Sequence, residues 1–197
     1  MEDNGIGMND ENLRSFTEAD SDHKLNIGGK GLGRFVCLKA FKYLSVESTY
    51  YNGAEFKKRY IKLKNTKEGF EGFKEEDSPQ NEYKTVCTLY EINEKYGKFT
   101  PKPLSEIAER IITHFQLYFI QGEAPIIFVR NQNNDEIDLN YWYRQNFNSK
   151  VTDDGFDIGE DHFTVFLSKS NSANSHRIHF CAQNRSVKDE WLGKNII

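Results

Sequence analysis

Two glycine clusters near the start of the chain constrain its fold more than any other feature. The first cluster runs from Asp3 to Gly7 with the sequence DNGIG, and the second runs from Gly28 to Gly33 with the sequence GGKGLG. Each cluster by itself is a weak signal, because glycine turns are common. A carboxylate followed by alternating glycines is more informative, since it places a hydrogen-bond acceptor beside backbone that no side chain shields. A flat ring can lie against such a surface.

The second cluster leads directly into an apolar run, Leu32 to Phe41, that is typical of a helix. Glycines ahead of a helix leave free backbone N–H groups at the positive end of the helix dipole, which suits a phosphate chain. Together the clusters predict a nucleotide site with the base at the first cluster and the phosphates at the second. Glycine-rich surface turns without a ligand are the alternative.

Two other glycine motifs are excluded by the neighbouring residues. A P-loop requires lysine and then serine or threonine after its last glycine, whereas Arg34 and Phe35 follow Gly33. A dinucleotide fingerprint continues from G-x-G to a third glycine, and Asp10 stands at that position.

The pattern Asp3-x-Gly5-x-Gly7 followed by Gly28-x-x-Gly31-x-Gly33 resembles the two glycine boxes of the GHKL ATPases. That superfamily includes gyrase B, the heat-shock chaperone ATPase, sensor histidine kinases, MutL and the MORC proteins. The runs DNGIGM and GGKGLGRF are most similar to bacterial stand-alone ATPases related to the heat-shock chaperone and to MORC. The resemblance is close over residues 2–41 and looser to about residue 140.

This resemblance implies an α+β fold, a two-layer sandwich of the Bergerat (histidine-kinase-like ATPase) type that binds ATP with Mg²⁺. In the family, the position of Asp3 bonds the adenine amino group, the first glycines approach the base, and the second box wraps the phosphates under a mobile lid. A threonine that contacts phosphate begins a later strand, where Thr85 is the candidate. The expected nucleotide-binding residues are Asp3, Gly5, Gly7, Met8, Gly28, Gly29, Lys30, Gly31, Leu32, Gly33 and Thr85.

The family's catalytic glutamate and magnesium-holding asparagine lie on a helix ahead of the first box. The chain begins two residues before Asp3, so neither residue can lie at its expected place, and the strand leading into Asp3 is expected to be absent. Either these parts lie upstream of Met1, or a partner supplies them, or the chain is a relic. No catalytic residue or metal ligand is therefore assigned within the chain. ATP hydrolysis that drives lid and domain rearrangement is expected of the complete protein. A non-catalytic nucleotide-binding or protein-interaction module is the competing hypothesis.

The segment between the boxes has the character of a lid. Asn9 or Asp10 can cap a short helix that ends near Phe16, and an acidic run at residues 18–22 resists packing. Lys24 and Lys30 flank the phosphate end; for both, nucleotide contact and an ordinary surface position are alternatives.

Periodicity predicts the remaining elements of an ATP-binding domain over residues 1–147. They are strands at Tyr43–Tyr50, Phe56–Leu63 and Lys84–Ile92, a loop or insertion at 64–83, a hairpin turn at Asn52-Gly53, a helix from Leu104 to about Phe119, and a hairpin around NQNND at 131–135.

A polar, turn-rich stretch after Phe147 predicts a boundary, and residues 148–197 are read as the beginning of a transducer-like second domain. Its predicted strands are His162–Ser168 and His176–Ala182. Arg185, next to Asn184, either approaches the nucleotide from this domain or lies in a surface turn.

Composition limits the partners and the compartment. The net charge of −4 argues against a generally basic nucleic-acid binder. No apolar run approaches 18 residues and no signal region begins the chain, so a cytoplasmic protein without a membrane segment is expected. An unpaired sheet edge would favour a homodimer. The sequence names neither a client protein nor a nucleic-acid partner.

Overall fold

The computed structural model describes residues 1–17, 33–64, 70–98, 102–148, 154–166, 169–170, 177–182 and 184–191. The chain divides into two compact units, Met1–Pro101 and Lys102–Ile197. Both units combine helices with antiparallel strands, which confirms the α+β class. The predicted boundary at residue 148 falls inside the second unit and stays a prediction.

The first unit is built on a five-stranded antiparallel sheet with the strand order β1-β5-β2-β3-β4. Its elements are β1 (Glu2–Asp3), α1 (Asp10–Thr17), α2 (Gly33–Ala40), β2 (Phe41–Tyr51), β3 (Phe56–Lys64), β4 (Phe70–Asp77), β5 (Lys84–Ile92) and α3 (Glu94–Gly97).

The hairpin of β2 and β3 forms where the turn signal predicts it. Gly53 has a φ of 101°, and the Asn52 side chain accepts hydrogen bonds from the N–H groups of Ala54 and Glu55, both at 2.9 Å. The turn sets Tyr51 opposite Phe56. Because side chains alternate along a strand, this register decides which residues face the core.

One face of the sheet carries the apolar core of the first unit. Its buried members are Leu38, Leu44, Val46, Ile61 and Leu63. Leu13 and Phe16 of α1 pack against them, so the helix predicted in the lid segment is attached to the core. The acidic run at 18–22 lies outside the described residues.

The structure corrects two expectations about the sheet. Residues 70–77, predicted as loop, form the edge strand β4, whose acidic side chains face basic partners on β3: Asp77 lies 2.5 Å from the Lys57 Nζ. The strand leading into Asp3 was expected to be missing, but Glu2–Asp3 pairs with β5 as β1. The Met1 and Cys87 backbones extend this pairing with bonds of 2.9 and 2.8 Å.

The second unit contains short helices and two-stranded pairs. Its elements are α4 (Leu104–His114), α5 (Gln116–Gln121), β6 (Phe128–Arg130), β7 (Glu136–Asp138), α6 (Leu139–Asn146), β8 (Phe147–Asn148), β9 (Asp154–Ile158), β10 (Asp161–Val165), β11 (Lys169–Ser170), β12 (Arg177–Ala182) and β13 (Arg185–Trp191). The pairs are β6 with β7, β8 with β11, β9 with β10, and β12 with β13.

The predicted long helix is two helices, because Phe115 has φ −109° and ψ 22° and interrupts the helical backbone. The buried side chains of this unit are Ala108, Ile112, Phe119, Leu139, Tyr143 and Phe147. The β6–β7 hairpin confirms the prediction around NQNND. Among the described residues, no helix has the length and apolar character needed to span a membrane.

Candidate nucleotide site

A row of polar residues crosses all five strands of the first unit's sheet. Asp3 pairs with Thr85, Thr85 with Ser48, Ser48 with Arg59, and Arg59 with Glu75. Directly opposed residues of antiparallel strands project to the same face. These five residues, the polar row, therefore share the face that also carries the apolar core. Thr85, Ser48 and Arg59 are buried within it.

Ser48 connects the first glycine cluster to the polar row. Its Oγ accepts a hydrogen bond from the Met8 backbone N–H at 2.8 Å and lies 2.9 Å from the Thr85 Oγ1. Ser48 is fully buried. The contact with Thr85 is therefore shielded from water, and a buried polar group that loses its partner costs stability.

Arg59 binds the backbone carbonyl of Met8, the residue whose N–H group is bound by Ser48. Its Nη1 donates to the Met8 carbonyl oxygen at 2.8 Å, its Nη2 donates to the Asp10 carboxylate, and its Nε donates to the Glu75 Oε2 at 2.5 Å. The guanidinium carbon lies 4.3 Å from the Tyr50 ring centre, within cation–π range. Met8 is thus bound at both its N–H and its carbonyl group.

The environment of Arg59 shifts the pKa values of two neighbouring side chains, Glu75 and Tyr50. The hydrogen bond from Arg59 lowers the pKa of Glu75 below its ordinary 4.5. Tyr50 is buried and donates to the Glu75 Oε2 at 2.9 Å. Burial, followed by this hydrogen bond to a carboxylate, raises the pKa of Tyr50 to about 12. The three side chains form one network in which Glu75 is ionised and Tyr50 is neutral near pH 7.

Two asparagine side chains stabilise the turn that connects the first glycine cluster to α1. Asn9 caps the helix, because its Oδ1 accepts the Asn12 backbone N–H at 2.9 Å. Asn12 donates from its Nδ2 to the Gly7 carbonyl at 2.7 Å. This confirms the predicted cap and shows that the turn after Gly7 is held by side chains of the same segment.

The two glycines of the first cluster are required for different reasons. Gly7 has a φ of +76°, and a Cβ there would lie 2.7 Å from the Thr49 carbonyl oxygen and 2.9 Å from the Ser48 Oγ. Gly7 therefore permits close packing against β2. Gly5 donates its N–H to the Asp3 Oδ1 at 2.9 Å, and a Cβ there would lie 3.0 Å from that oxygen. Gly5 therefore keeps the space beside the carboxylate open.

The outer surface of the cluster is accessible. Asp3 and Gly5 are exposed, and the apolar Ile6 side chain is 63% exposed. A carboxylate beside open backbone and an apolar side chain can accept a hydrogen bond from the polar edge of a planar ring while the ring rests on the apolar surface.

The structure brings together five of the predicted residues. Asp3, Gly5, Gly7, Met8 and Thr85 lie around the end of β1. Gly33 is the first residue of α2. The predicted residues Gly28, Gly29, Lys30, Gly31 and Leu32, together with Lys24, lie outside the described residues. The expected contact of Thr85 with a phosphate stays a prediction.

Sequence reasoning missed the residues that anchor the cluster, which are Asn12, Ser48, Arg59 and Glu75. A signal exists for Ser48, because it occupies an inward position of β2 in the alternation Leu44, Val46, Ser48, Tyr50. A polar residue at an inward position needs a partner. The identity of that partner follows only from the strand register.

Arg185 begins β13 in the second unit, and its Nε is buried without a hydrogen-bond partner among the described residues. Its predicted approach to a nucleotide stays a prediction. Burial lowers the pKa of His179. Within the part of the chain that the structure describes, no group of three or more histidine, cysteine or acidic side chains is arranged to hold a metal ion.

Comparison with known proteins adds no family to these observations: no family model and no curated protein matches this chain.

Proposed function

We propose that this chain binds ATP at the two glycine boxes, in the manner of the GHKL ATPases that they resemble. The observation that carries the proposal is the placement of Asp3. Its carboxylate is exposed at the end of β1, opposite Thr85, and is followed by Gly5, where a Cβ would lie 3.0 Å from the Asp3 Oδ1.

At the base end, Asp3 accepts a hydrogen bond from the adenine amino group. A bond to an ionised acceptor is stronger than one between neutral groups. Guanine carries a carbonyl at the corresponding ring position, and that oxygen would meet the carboxylate unfavourably. The site therefore selects adenine nucleotides over guanine nucleotides.

At the phosphate end, the second box precedes α2, whose first residue is Gly33. The first N–H groups of a helix have no intrahelical partner, and together with the helix dipole they favour an anion at such an end. Gly28, Gly29, Lys30, Gly31 and Leu32 complete the phosphate loop in this proposal, as the family resemblance implies.

The fold proposed for the ATP-binding part is the Bergerat sandwich. What supports it is one five-stranded antiparallel sheet whose core face packs against α1 and carries Leu38 of α2. The polar row adjoins that core where the segment after the first box crosses the sheet.

Magnesium binding and ATP hydrolysis enter this proposal only through the family resemblance. Mg²⁺ would neutralise charge on the phosphates when bound. The described residues offer no group of three metal-ligating side chains, so none is assigned to the metal. Adenine recognition by Asp3 does not depend on that assignment.

Calorimetric titration with ATP and GTP tests the proposal. Asp3→Asn keeps an oxygen that accepts the Gly5 N–H but removes the charge, so ATP affinity should fall about ten- to a hundredfold, as expected for a charge-assisted bond of about 1.5–3 kcal/mol. The control is Glu2→Gln, because Glu2 pairs with Lys84 at 2.9 Å and projects to the opposite face. Equal ATP affinity in Asp3→Asn and the unchanged protein would refute the site.

A further inference from the structure

We infer that Arg59 is a positioning residue that holds α1 and the first glycine cluster against the sheet through an ion pair with Asp10 that can open reversibly. The contacts of Arg59 exist without a ligand, whereas their importance for nucleotide affinity rests on the proposed function. The hydrogen bonds of Arg59 go to Glu75, Met8 and Asp10, and adenine recognition is assigned to Asp3 instead.

The geometry uses all three nitrogens of the guanidinium group. Nε donates to Glu75, Nη1 donates to the Met8 carbonyl, and Nη2 donates to Asp10. Met8 directly follows the first glycine cluster, and Asp10 begins α1. One side chain thus fixes two successive parts of the chain to β3. Lysine could not replace it, because an ammonium group lacks the planar fork that reaches separated acceptors.

The two carboxylates that pair with Arg59 differ in exposure. The Arg59 side chain is 7% exposed, Glu75 is 33% exposed, and Asp10 is 90% exposed. Breaking the only pair of a buried charge is strongly destabilising. Here Glu75 and the Tyr50 ring remain with Arg59 when Asp10 leaves, and the Asp10 carboxylate is already hydrated. The Asp10 pair can therefore open without stranding a buried charge.

Separation of Asp10 from Arg59 frees the first residue of α1, while the helix keeps the packing of Leu13 and Phe16 against the core. The expected motion is therefore a loosening of the start of α1 rather than unfolding of the sheet. Because Asp10 is only three residues after Gly7, loosening the start of α1 also loosens the chain that leaves the glycine cluster. The Asp10–Arg59 pair therefore links the conformational order of α1 to that of the first glycine cluster.

Hydrogen exchange of the nucleotide-free 197-residue chain tests this inference. Asp10→Asn should speed exchange of the α1 amides about three- to tenfold, because local opening then costs less, while the amides of β2 and β5 keep their rates. Asp10→Glu retains the charge and should exchange more slowly than Asp10→Asn. Lys58→Ala is the control, since Lys58 pairs with Glu47 on the opposite face.

A double-mutant cycle assigns the effect to the pair. In an Arg59→Met background, Asp10→Asn should produce no further increase in α1 exchange. Unchanged α1 exchange in Asp10→Asn, or an undiminished effect in Arg59→Met, would overturn the inference. If Arg59→Met fails to fold, the comparison of Asp10→Asn, Asp10→Glu and Lys58→Ala decides it alone.

ATP titration of the same variants separates this inference from the proposed function. Asp10→Asn should weaken ATP binding about two- to fivefold, since part of the binding energy must then order the first glycine cluster. If the unchanged chain does not bind ATP, the proposed function fails, and the exchange rates still decide whether Asp10 and Arg59 hold α1.

Discussion

Asp3 lies directly opposite Thr85 in the antiparallel pairing of β1 with β5. The exposed carboxylate of Asp3 is therefore next to the buried hydroxyl of Thr85 in the sheet. From Thr85 the polar row continues through Ser48 to Arg59. The candidate site therefore has an outer part that a ligand can touch and an inner part that water cannot reach. Substitutions in the outer part should change affinity, and those in the inner part should change stability.

Ser48→Ala is expected to destabilise the first unit by about 1–3 kcal/mol, because the Met8 N–H loses its acceptor and Thr85 loses its side-chain partner in a buried place. Ser45→Ala is the control on the outward face of the same strand and should have little effect. Exchange of the β2 and β5 amides is the suitable measurement, because both tryptophans, Trp142 and Trp191, belong to the second unit. Equal protection in both variants would contradict the assigned role of Ser48.

Gly7→Ala should destabilise the first unit more than Gly53→Ala does. Both glycines have positive φ, +76° and +101°, but a Cβ has open space at Gly53 and would lie 2.7 Å from the Thr49 carbonyl at Gly7. The cost of positive φ for alanine is about 1–2 kcal/mol, and the close contact adds to it at Gly7. Similar losses of unfolding free energy, measured by exchange of the β2 amides, would show that the loop relaxes away from β2.

The sequence predicts the central strands well and the edge strand poorly. Alternation from Lys84 to Ile92 predicts β5 with the bounds that the structure has. By contrast, the segment of β4, FEGFKEED, contains glycine and consecutive charges that are typical of a loop. Its charges are stabilised by basic partners on β3, such as Lys57 for Asp77. This charge complementarity depends on the pairing of β3 with β4, which the sequence of β4 alone does not reveal.

The candidate site likewise contains residues that the sequence predicts and residues that only the strand pairing reveals. Asp3, Gly5 and Gly7 stand out in the sequence because carboxylate and glycine recur at fixed spacing. Arg59 carries no local signal, because it is the last of three consecutive basic residues, KKR, and the other two face different surroundings. Only the sheet register places Arg59 between the Met8 carbonyl and Glu75.

Glu75 should make the stability of the first unit depend on pH in the acid range. Its pKa is lowered in the folded protein, chiefly by the hydrogen bond from Arg59. A lowered folded pKa contributes stability that is present above the ordinary value of 4.5 and is lost as the pH falls through the folded value. The difference in unfolding free energy between the unchanged protein and Glu75→Gln should therefore shrink as the pH is lowered from about 6 to about 3.

Glu76→Gln provides the control for this measurement. The pKa of Glu76 is also lowered, first by its hydrogen bond to Lys74, but that pair is exposed to solvent. Salt at about 1 M should suppress the contribution of Glu76 and leave most of that of Glu75, because the buried Arg59 is screened less. A Glu75→Gln variant whose stability difference is constant over this pH range would rule out the Arg59–Glu75 pair as a stabilising charge pair.

The last prediction concerns the phosphate end, where Gly31 and Gly33 of the second box are expected to border the phosphate path. Gly31→Val and Gly33→Val should abolish the protection that ATP gives against heat while the protein still folds, because a β-branched side chain would occupy that path. Gly97→Val is the control, since a Cβ at Gly97 has open space around it. Melting temperatures with and without ATP measure the effect, because a ligand that binds only the folded state raises the melting temperature. If both variants keep the protection seen in Gly97→Val, the second box has only a structural role, and the phosphates must lie elsewhere.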